Sequence, residues 1–486
     1  MPAFRDYSFW GITQSLCPEC LELVPAKIIE RNGRVYFRKV CPEHGERTDF
    51  VCSDSKWFDR TQYSLPGKLP LAFGAETRHG CPYDCGLCDG HEQHTCLGLV
   101  EITSNCNLDC PMCFAASGPG GTHLALDECI AAIDRLVDAE GRPEILQLSG
   151  GEPTIHPRFG QILDYACQQP IDIVMINTNG VRLARDDAFV DMVAQYRQRV
   201  EIYLQFDGLT EASYVKLRGE SLLDVKLQAV ERLGNAGLNT ILVSTVQPDV
   251  NEDQMGAIVQ FGVERPWVTG ASFQPATYSG RFVLPNDLER RITFPDVIQG
   301  VCAQTNDEWA ETDFSPLPCA HPNAHTIAYA VRNQDRILPL ARFVDLENHL
   351  DLLSGRITFD RERARHLIEE YLSRQACALE GCNSDTAAIP LKKSSGPSMS
   401  DTDTDMASDF FRRALDRELA PRHMFRITTT SFMDAYNFDI RQLMKSCVHF
   451  VLPSGHIIPF SAYNVLYRDG HVPLPVLSRS RHLAIS

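Results

Sequence analysis

The chain has 486 residues, with 46 Lys and Arg against 63 Asp and Glu, and 18 cysteines. That length builds two to four domains and a large core. The net charge of −17 argues against a general nucleic-acid binder and against simple electrostatic docking on anionic lipid, because both need a basic face. No apolar run is long enough to span a membrane, and the first residues lack the basic and apolar stretches of a secretion signal. The cysteines cluster at short spacings beside Pro or Gly, which points to metal and to a reducing cytoplasm, not to disulfides.

Residues 1–70 read as a small metal-stapled module. Strand-like Ala26–Arg31 and Arg34–Val40 flank Asn32-Gly33, a strong hairpin turn. Cys17-Pro-Glu-Cys20 precedes the hairpin and Cys41-Pro-Glu-His44 follows it, as in a zinc ribbon or rubredoxin. Cys17, Cys20 and Cys41 need a fourth ligand. His44 keeps the two-residue spacing, Cys52 is its rival, and the metal is zinc or a single iron.

Residues 71–97 carry Cys81, Cys85 and Cys88, with Cys96 behind them. This complete set of four suits an auxiliary 4Fe–4S cluster better than zinc, because its spacing is unlike a zinc knuckle. A structural staple without redox work is the plainer alternative.

From 98 to 282 the chain alternates strand and helix. Strands are expected near 99–103, 145–149, 171–177, 200–206, 240–246 and 269–274. Helical spacing of apolar residues marks 125–139, 158–167, 187–196, 222–236 and 252–262. The predicted fold class is α/β, a partial (β/α)6 barrel with an N-terminal metal-stapled hairpin module and a mixed C-terminal region. Sites in such folds lie at the C-terminal strand ends. There the chain places Cys106, Cys110 and Cys113 as CxxxCxxC after the first strand, and Gly150-Gly151-Glu152-Pro153 after the second. A cubane cluster normally takes four thiolates, so three close cysteines leave one iron open to a cofactor or substrate. Two glycines let the backbone turn sharply and approach a ligand, and Glu152 offers an acceptor for a cationic amine. Asn177, Asn179, Gln205 and Asp207, after the third and fourth strands, are candidates for ribose or carboxylate contacts, or else plain polar caps. Phe114, directly after Cys113, is assigned to an adenine only by the resemblance given below.

Residues 283–382 read as a mixed extension, helical at 285–304 and 360–378. Residues 383–409, rich in Ser, Asp, Thr and Pro, read as a disordered linker or exposed loop, and 410–486 as a C-terminal region with a compact stretch at 424–467. Cys319, Cys377, Cys382 and Cys447 leave one more possible quartet, for a third cubane, although free cysteine is also a common core hydrophobe. Cys129, Cys167 and Cys302 read as packing.

The pairing of CxxxCxxC with GGEP resembles the radical S-adenosylmethionine (SAM) superfamily. The resemblance implies that the open iron chelates the amino and carboxylate groups of SAM and that the GGE segment binds the amine. Splitting of the sulfonium by the reduced cluster then gives a 5′-deoxyadenosyl radical. Across residues 15–467, CPEC, CPEHG, GCPYDCGLCDGHEQHTCL, CNLDCPMCF, LSGGEPT, INTNG, YLQFDG, FQPATYSGR and KSCVHF together resemble the archaeal tetraether lipid synthase family, also grouped with class D radical SAM methyltransferases. That resemblance implies joining of unactivated alkyl carbons, several 4Fe–4S clusters and a rubredoxin-like mononuclear site. Relatives often carry cysteine where this chain has Ser461, and its insertion at 383–409 is longer.

Three functions follow for comparison. Alkyl coupling on a lipid needs a long apolar tunnel, while C-methylation of a small molecule such as a pterin needs a compact polar pocket. A non-catalytic electron carrier has no use for an amine site beside a cluster. The implied partners are a lipid or small-molecule substrate and a reductant such as flavodoxin or ferredoxin, with peripheral membrane contact at most. A lipid phosphate would draw on Lys216, Arg218 or Arg281, although exposed charges are usually only solvated surface.

Overall fold

The computed structural model describes residues 5–334, 336–353, 361–378, 400–477 and 481–482. Cys382 and most of the predicted linker lie outside these residues, as does the side chain of Cys377.

β1 (Ser8–Leu16), β2 (Leu23–Arg31), β3 (Arg34–Cys41) and β4 (Gly45–Cys52) form an antiparallel sheet in chain order. Asn32 and Gly33 take φ of 53° and 79°, as a tight hairpin turn requires. One face of this ribbon buries Ile28, Val35 and Phe37 against Trp57 and Phe58, in a core continuous with the rest of the molecule.

After the short β5 (Ala72–Phe73) come β6 (Leu97–Thr103), β7 (Ile145–Gly150), β8 (Ile173–Thr178), β9 (Val200–Gln205), β10 (Asn239–Val246) and β11 (Val268–Pro275). All six predicted strands are present and pair in parallel, in chain order. The connecting helices are α1 (Leu126–Glu140), α2 (Phe159–Gln168), α3 (Val181–Arg185), α4 (Asp187–Ala194), α5 (Glu211–Arg218), α6 (Leu223–Asn235) and α7 (Met255–Val263). α1 shows the cause: Cys129, Ile133 and Leu136 fall on one stripe and are fully buried, and Gly141 ends the helix at φ 70°. Two short helices, α3 and α5, were not expected.

α8 (Phe294–Gln304) is shorter than the predicted 285–304. Pro295 suits a first turn, and the Thr293–Asp296 capping box fixes the start there. Then follow β12 (Ser315–Pro316), β13 (His325–Asn333), β14 (Arg336–Pro339), α9 (Arg361–Ala378), α10 (Asp401–Leu415), β15 (Met424–Thr430), β16 (Val448–Val451) and β17 (Ile457–Pro459). α10 starts inside the predicted linker, because Ser400 and Asp403 form a capping box before a stripe of Met406, Phe410 and Phe411.

The C-terminal strands belong to the barrel sheet and do not form a separate unit. β15 pairs in parallel with β11, and β16 in parallel with β6, so eight strands run in parallel. β13 and β12 add antiparallel beyond β15, and β17 beyond β16. The sheet curls, because one face of β6–β11, β13, β15 and β16 lines a common cavity. Among the described residues no helix is long and apolar enough to cross a membrane.

Candidate active site

The cysteine loop leaves the C-terminal end of β6 and turns over the barrel mouth. Its shape is held by backbone bonds from Cys106 N–H to Gly118 O (3.1 Å) and, in both directions, between Cys113 and Arg281 (2.9 Å). Arg281 Nε also donates to Cys110 O at 3.1 Å, so this residue fastens the loop and is not a free phosphate ligand. Lys216 is likewise spoken for, donating to Asp249 O at 2.8 Å. From the next strand, Gly151 N–H reaches Thr103 O at 2.8 Å and Glu152 N–H reaches Asn105 O at 2.9 Å. A Cβ on Gly151 would stand 2.3 Å from Asn105 O, so only glycine permits this approach.

Cys106, Cys110 and Cys113 open onto a cavity of about 130 Å³, lined also by Phe114, Gly150, Gly151, Asn177, Asn179, Gln205 and Arg218. Among the described residues no fourth thiol lines it. A set of three thiols around such a space fits a 4Fe–4S cluster with one iron left for a ligand. Burial pushes the Cys106 thiol up to about 12, so metal binding must drive off its proton.

The polar residues divide into two sets. Asn177, Asn179 and Gln205 line the cavity. Glu152 and Asp207 do not line it. Glu152 is 1% exposed. It accepts bonds from Thr154 Oγ1 (2.6 Å), Thr178 Oγ1 (2.8 Å) and Asn179 N–H (2.7 Å). Its carboxylate therefore binds the ends of β7 and β8 together, where an amine acceptor was expected. Burial raises its pKa. Asp207 is fully buried and grips Arg218 through two bonds of 2.6 and 2.7 Å, which fits a polar cap, one of the two readings open from sequence, and not a ribose contact.

Arg218 is the cavity residue that sequence reasoning undervalued. It sits at the end of α5, reaches Gln205 Oε1 at 3.0 Å and forms part of the cavity wall. Burial works against its charge, but Asp207 outweighs burial and raises its pKa. A buried cation beside Cys110 suits a carboxylate ligand. Beneath the same loop, Lys226 is fully buried and donates to Asn179 O. Burial pulls its pKa down to about 8.

Two further cavities continue down the barrel axis. A central one of about 150 Å³ shares Phe114, Asn177, Gln205, Gln274, Phe432 and Phe460 with the cysteine cavity. Phe432 and Phe460 stack with ring centres 3.7 Å apart, and Phe114 lies 5.0 Å from Phe460. A chamber of about 560 Å³ then opens at the strand starts, sharing Ile173, Glu201, Tyr329 and Arg426 with the central cavity. Its far wall is apolar, with Leu346, Leu367, Ile368 and Phe410. Residue 173 to residue 177 of β8 spans roughly 13 Å at the rise of a strand.

The remaining metal candidates regroup in space. Cys17, Cys20, Cys41 and His44 gather within 4.8 Å of one another, and Cys20 and Cys41 Sγ are 3.8 Å apart. His44, not Cys52, joins this set; Cys52 is buried among the ribbon core. The backbone N–H of His44 pulls the Cys41 thiol down to about 7. Cys81, Cys85 and Cys88 line a separate cavity of about 380 Å³ with His91 and His449. Cys96 is not with them. It lies within 4.8 Å of Cys319 and Cys447, while Cys382 and the side chain of Cys377, the other members of the second expected quartet, lie outside the described residues. Nearness in sequence groups Cys96 with Cys81, Cys85 and Cys88, but it stands at the start of β6 beside Cys447, which immediately precedes the neighbouring strand β16. Ser461 is also placed otherwise: its Oγ accepts the Met433 N–H at 2.9 Å.

Comparison with known proteins agrees with this geometry. The Radical SAM superfamily model matches residues 100–262, and the model of the HMPTM N-terminal zinc ribbon domain matches residues 9–53. A 7,8-dihydro-6-hydroxymethylpterin dimethyltransferase of Methanocaldococcus jannaschii is 31% identical over 500 residues, covering 94% of each chain. Mycofactocin maturase MftC of Mycolicibacterium smegmatis is 31% identical over 158 residues, covering 32% of this chain and 38% of that one. Among solved structures, Streptococcus suis SuiB bound to precursor peptide SuiA has 17% identity and a TM-score of 0.37, spanning under half of either chain (45% and 46%). The family uses a 4Fe–4S cluster and SAM, for which the cavity at Cys106, Cys110 and Cys113 provides, and the ribbon and further cysteine groups fit additional metal. The chain belongs to the radical SAM superfamily, related to the Methanocaldococcus jannaschii protein along almost the whole length of both.

Proposed function

We propose that the protein forms a carbon–carbon bond at an unactivated carbon of a long alkyl substrate. The observation that carries this reading is the series of three cavities sharing walls from the cysteine loop to the apolar chamber at the strand starts. The apolar far wall of that chamber of about 560 Å³, with Leu346, Leu367, Ile368 and Phe410, suits an alkyl chain.

When bound, the cluster supplies the electron that splits SAM and releases a 5′-deoxyadenosyl radical. The chain's own residues do the rest of the work. Arg218 holds the methionine carboxylate, with its charge kept by Asp207. The Gly150–Gly151 backbone lets the ligand lie close, and Glu152 positions that backbone from behind. Phe114, Phe432 and Phe460 form an aromatic collar between SAM and the substrate chain, keeping water from the radical. Electrons come from a reductant of the flavodoxin or ferredoxin kind, and the thiol-rich sites suit a reducing cytoplasm.

A second reading has its own support. The Methanocaldococcus jannaschii relative is named for methylation of a pterin. In that reading the polar side chains of the central cavity, including Tyr203, Gln205 and Gln274, face a heterocycle.

The test is anaerobic incubation of reconstituted protein with SAM and dithionite. The trial substrate is a saturated diacyl phospholipid or 7,8-dihydro-6-hydroxymethylpterin, with mass spectrometry of the products. Chain-coupled lipid with 5′-deoxyadenosine is expected. Methylated pterin without coupled lipid moves the assignment to the second reading. Undiminished 5′-deoxyadenosine from the Cys106, Cys110 and Cys113→Ala triple variant refutes both.

A further inference from the structure

The loop at 431–439, directly after β15, carries Phe432 into the walls of both the cysteine cavity and the central cavity. The ring of Phe432 stacks on Phe460 there. Phe432 also borders a small space of about 40 Å³ that Phe37, Val51 and Phe58 of the N-terminal module help to wall. One aromatic ring thus stands between the cofactor cavity and the ribbon.

The ribbon takes hold of this loop through one row of its sheet. Thr13 on β1, Ala26 on β2 and Lys39 on β3 pair in register, so their side chains share a face. Lys39 is fully buried. Its Nζ donates to Ala435 O (3.1 Å) and Tyr436 O (2.7 Å) in the loop, and to Leu16 O (3.0 Å) in the ribbon itself. Asp49, 2.9 Å away, balances the charge. At the end of the loop, Thr13 Oγ1 donates to Asp439 Oδ1 at 2.6 Å.

These bonds do more than attach one surface to another. Apolar contact at Phe37 and Phe58 is enough for docking. An ammonium has three donors, and a lysine is buried this completely only when its charge and its donors are engaged. Buried carbonyls need partners in turn, so Lys39 dictates how residues 435 and 436 turn. The barrel grips the same loop from its own side. Fully buried Asp434 accepts from Arg291 Nη2 (2.6 Å) and from the Tyr278 N–H (3.1 Å), just beyond β11. The Met433 N–H donates to Ser461 Oγ at 2.9 Å. The loop is therefore stretched between the ribbon and the barrel mouth, with Phe432 at its barrel end.

We propose that the N-terminal ribbon is a positioning element of the cofactor cavity: Lys39 and Thr13 fix the loop at 431–439 and thereby set Phe432 in the wall that SAM meets. Neither Lys39 nor Thr13 lines that cavity, so both act through Phe432. The role is the same for an alkyl substrate and for a pterin, and it stands or falls apart from that choice.

The experiment uses full-length, reconstituted protein with a fluorinated phenylalanine incorporated at position 432. Its fluorine NMR resonance and the equilibrium binding of SAM are measured for wild type, Lys39→Met, Thr13→Val and Thr13→Ser. Lys39→Met and Thr13→Val are expected to displace or split the resonance and to weaken SAM binding about fivefold, with iron per chain unchanged. Thr13→Ser keeps the hydroxyl and restores both. Phe50→Leu loosens the ribbon on its other face, where Phe50 packs with Ile29 and Tyr36, and is expected to leave both as in wild type. Either an unmoved resonance or an unchanged SAM affinity in Thr13→Val overturns the proposal, and so does an equal effect from Thr13→Ser or Phe50→Leu. Should Lys39→Met fail to fold, the two Thr13 variants decide alone.

Discussion

Arg218 and Asp207 form a buried pair in which each partner depends on the other. Arg218→Ala leaves a fully buried carboxylate without its cation, and a loss of about 3–5 kcal/mol in unfolding free energy is expected in denaturant titrations. Arg218→Lys keeps the charge but not the two-pronged grip. Equilibrium binding of SAM to the reconstituted protein should weaken about tenfold, with iron content unchanged. Glu152 makes a different prediction. Glu152→Gln puts an amide N–H where Asn179 N–H or the threonine hydroxyls now donate. A loss of about 1–3 kcal/mol follows, read as a lower unfolding midpoint. The residue types were legible in the sequence, but their roles only partly. GGEP announced a ligand loop, yet nothing in the string told whether the Glu152 carboxylate faces the ligand or the strand behind it. Arg218 looked like one more surface cation, because only the fold shows that the end of α5 returns over the cysteine loop.

At the scale of elements, strands and their hairpin punctuation read well. The six βα strands carry strong apolar runs, and Asn32-Gly33 dictates its own turn. The shortfall lay in elements whose local signal is weak. β15 ends in three consecutive threonines, and β16 is only four residues long. α10 opens on a run of aspartate and threonine that mimics a linker, and its cap decides otherwise. Lys226 on α6 gives this scale its pH prediction. Its pKa in the folded chain is about 8, below the ordinary 10.5. Between those values the unfolded chain holds the proton more often, so wild-type stability gains from this group as pH rises through 8 and levels off near 10.5. Relative to Lys226→Met, which has no such group, wild type should gain ground over that window in urea unfolding at stepped pH. A gap that stays flat from pH 7 to 10.5 contradicts the buried charge.

For the molecule as a whole, the decisive property is the line of cavities threading the barrel. Ile173 belongs to the walls of both the central cavity and the lower chamber. Ile173→Trp should obstruct their junction without touching the cysteine loop. The expected outcome is continued 5′-deoxyadenosine formation with coupled lipid product lost, measured side by side in one chromatogram. Retention of product would place the substrate chain elsewhere. The α/β barrel and the ribbon were foreseeable from sequence. The participation of the C-terminal strands, and the regrouping of Cys96 with Cys319 and Cys447, were not, since they depend on contacts between residues hundreds of positions apart.

β16 lies against β6 although it leaves the ribosome about 350 residues later. At ordinary rates of synthesis that delay is on the order of twenty to seventy seconds. During it, Cys106, Cys110 and Cys113 are already made while Phe432 and Phe460, which close their cavity, do not yet exist. The nascent chain therefore carries these three thiols before the walls of their cavity are complete.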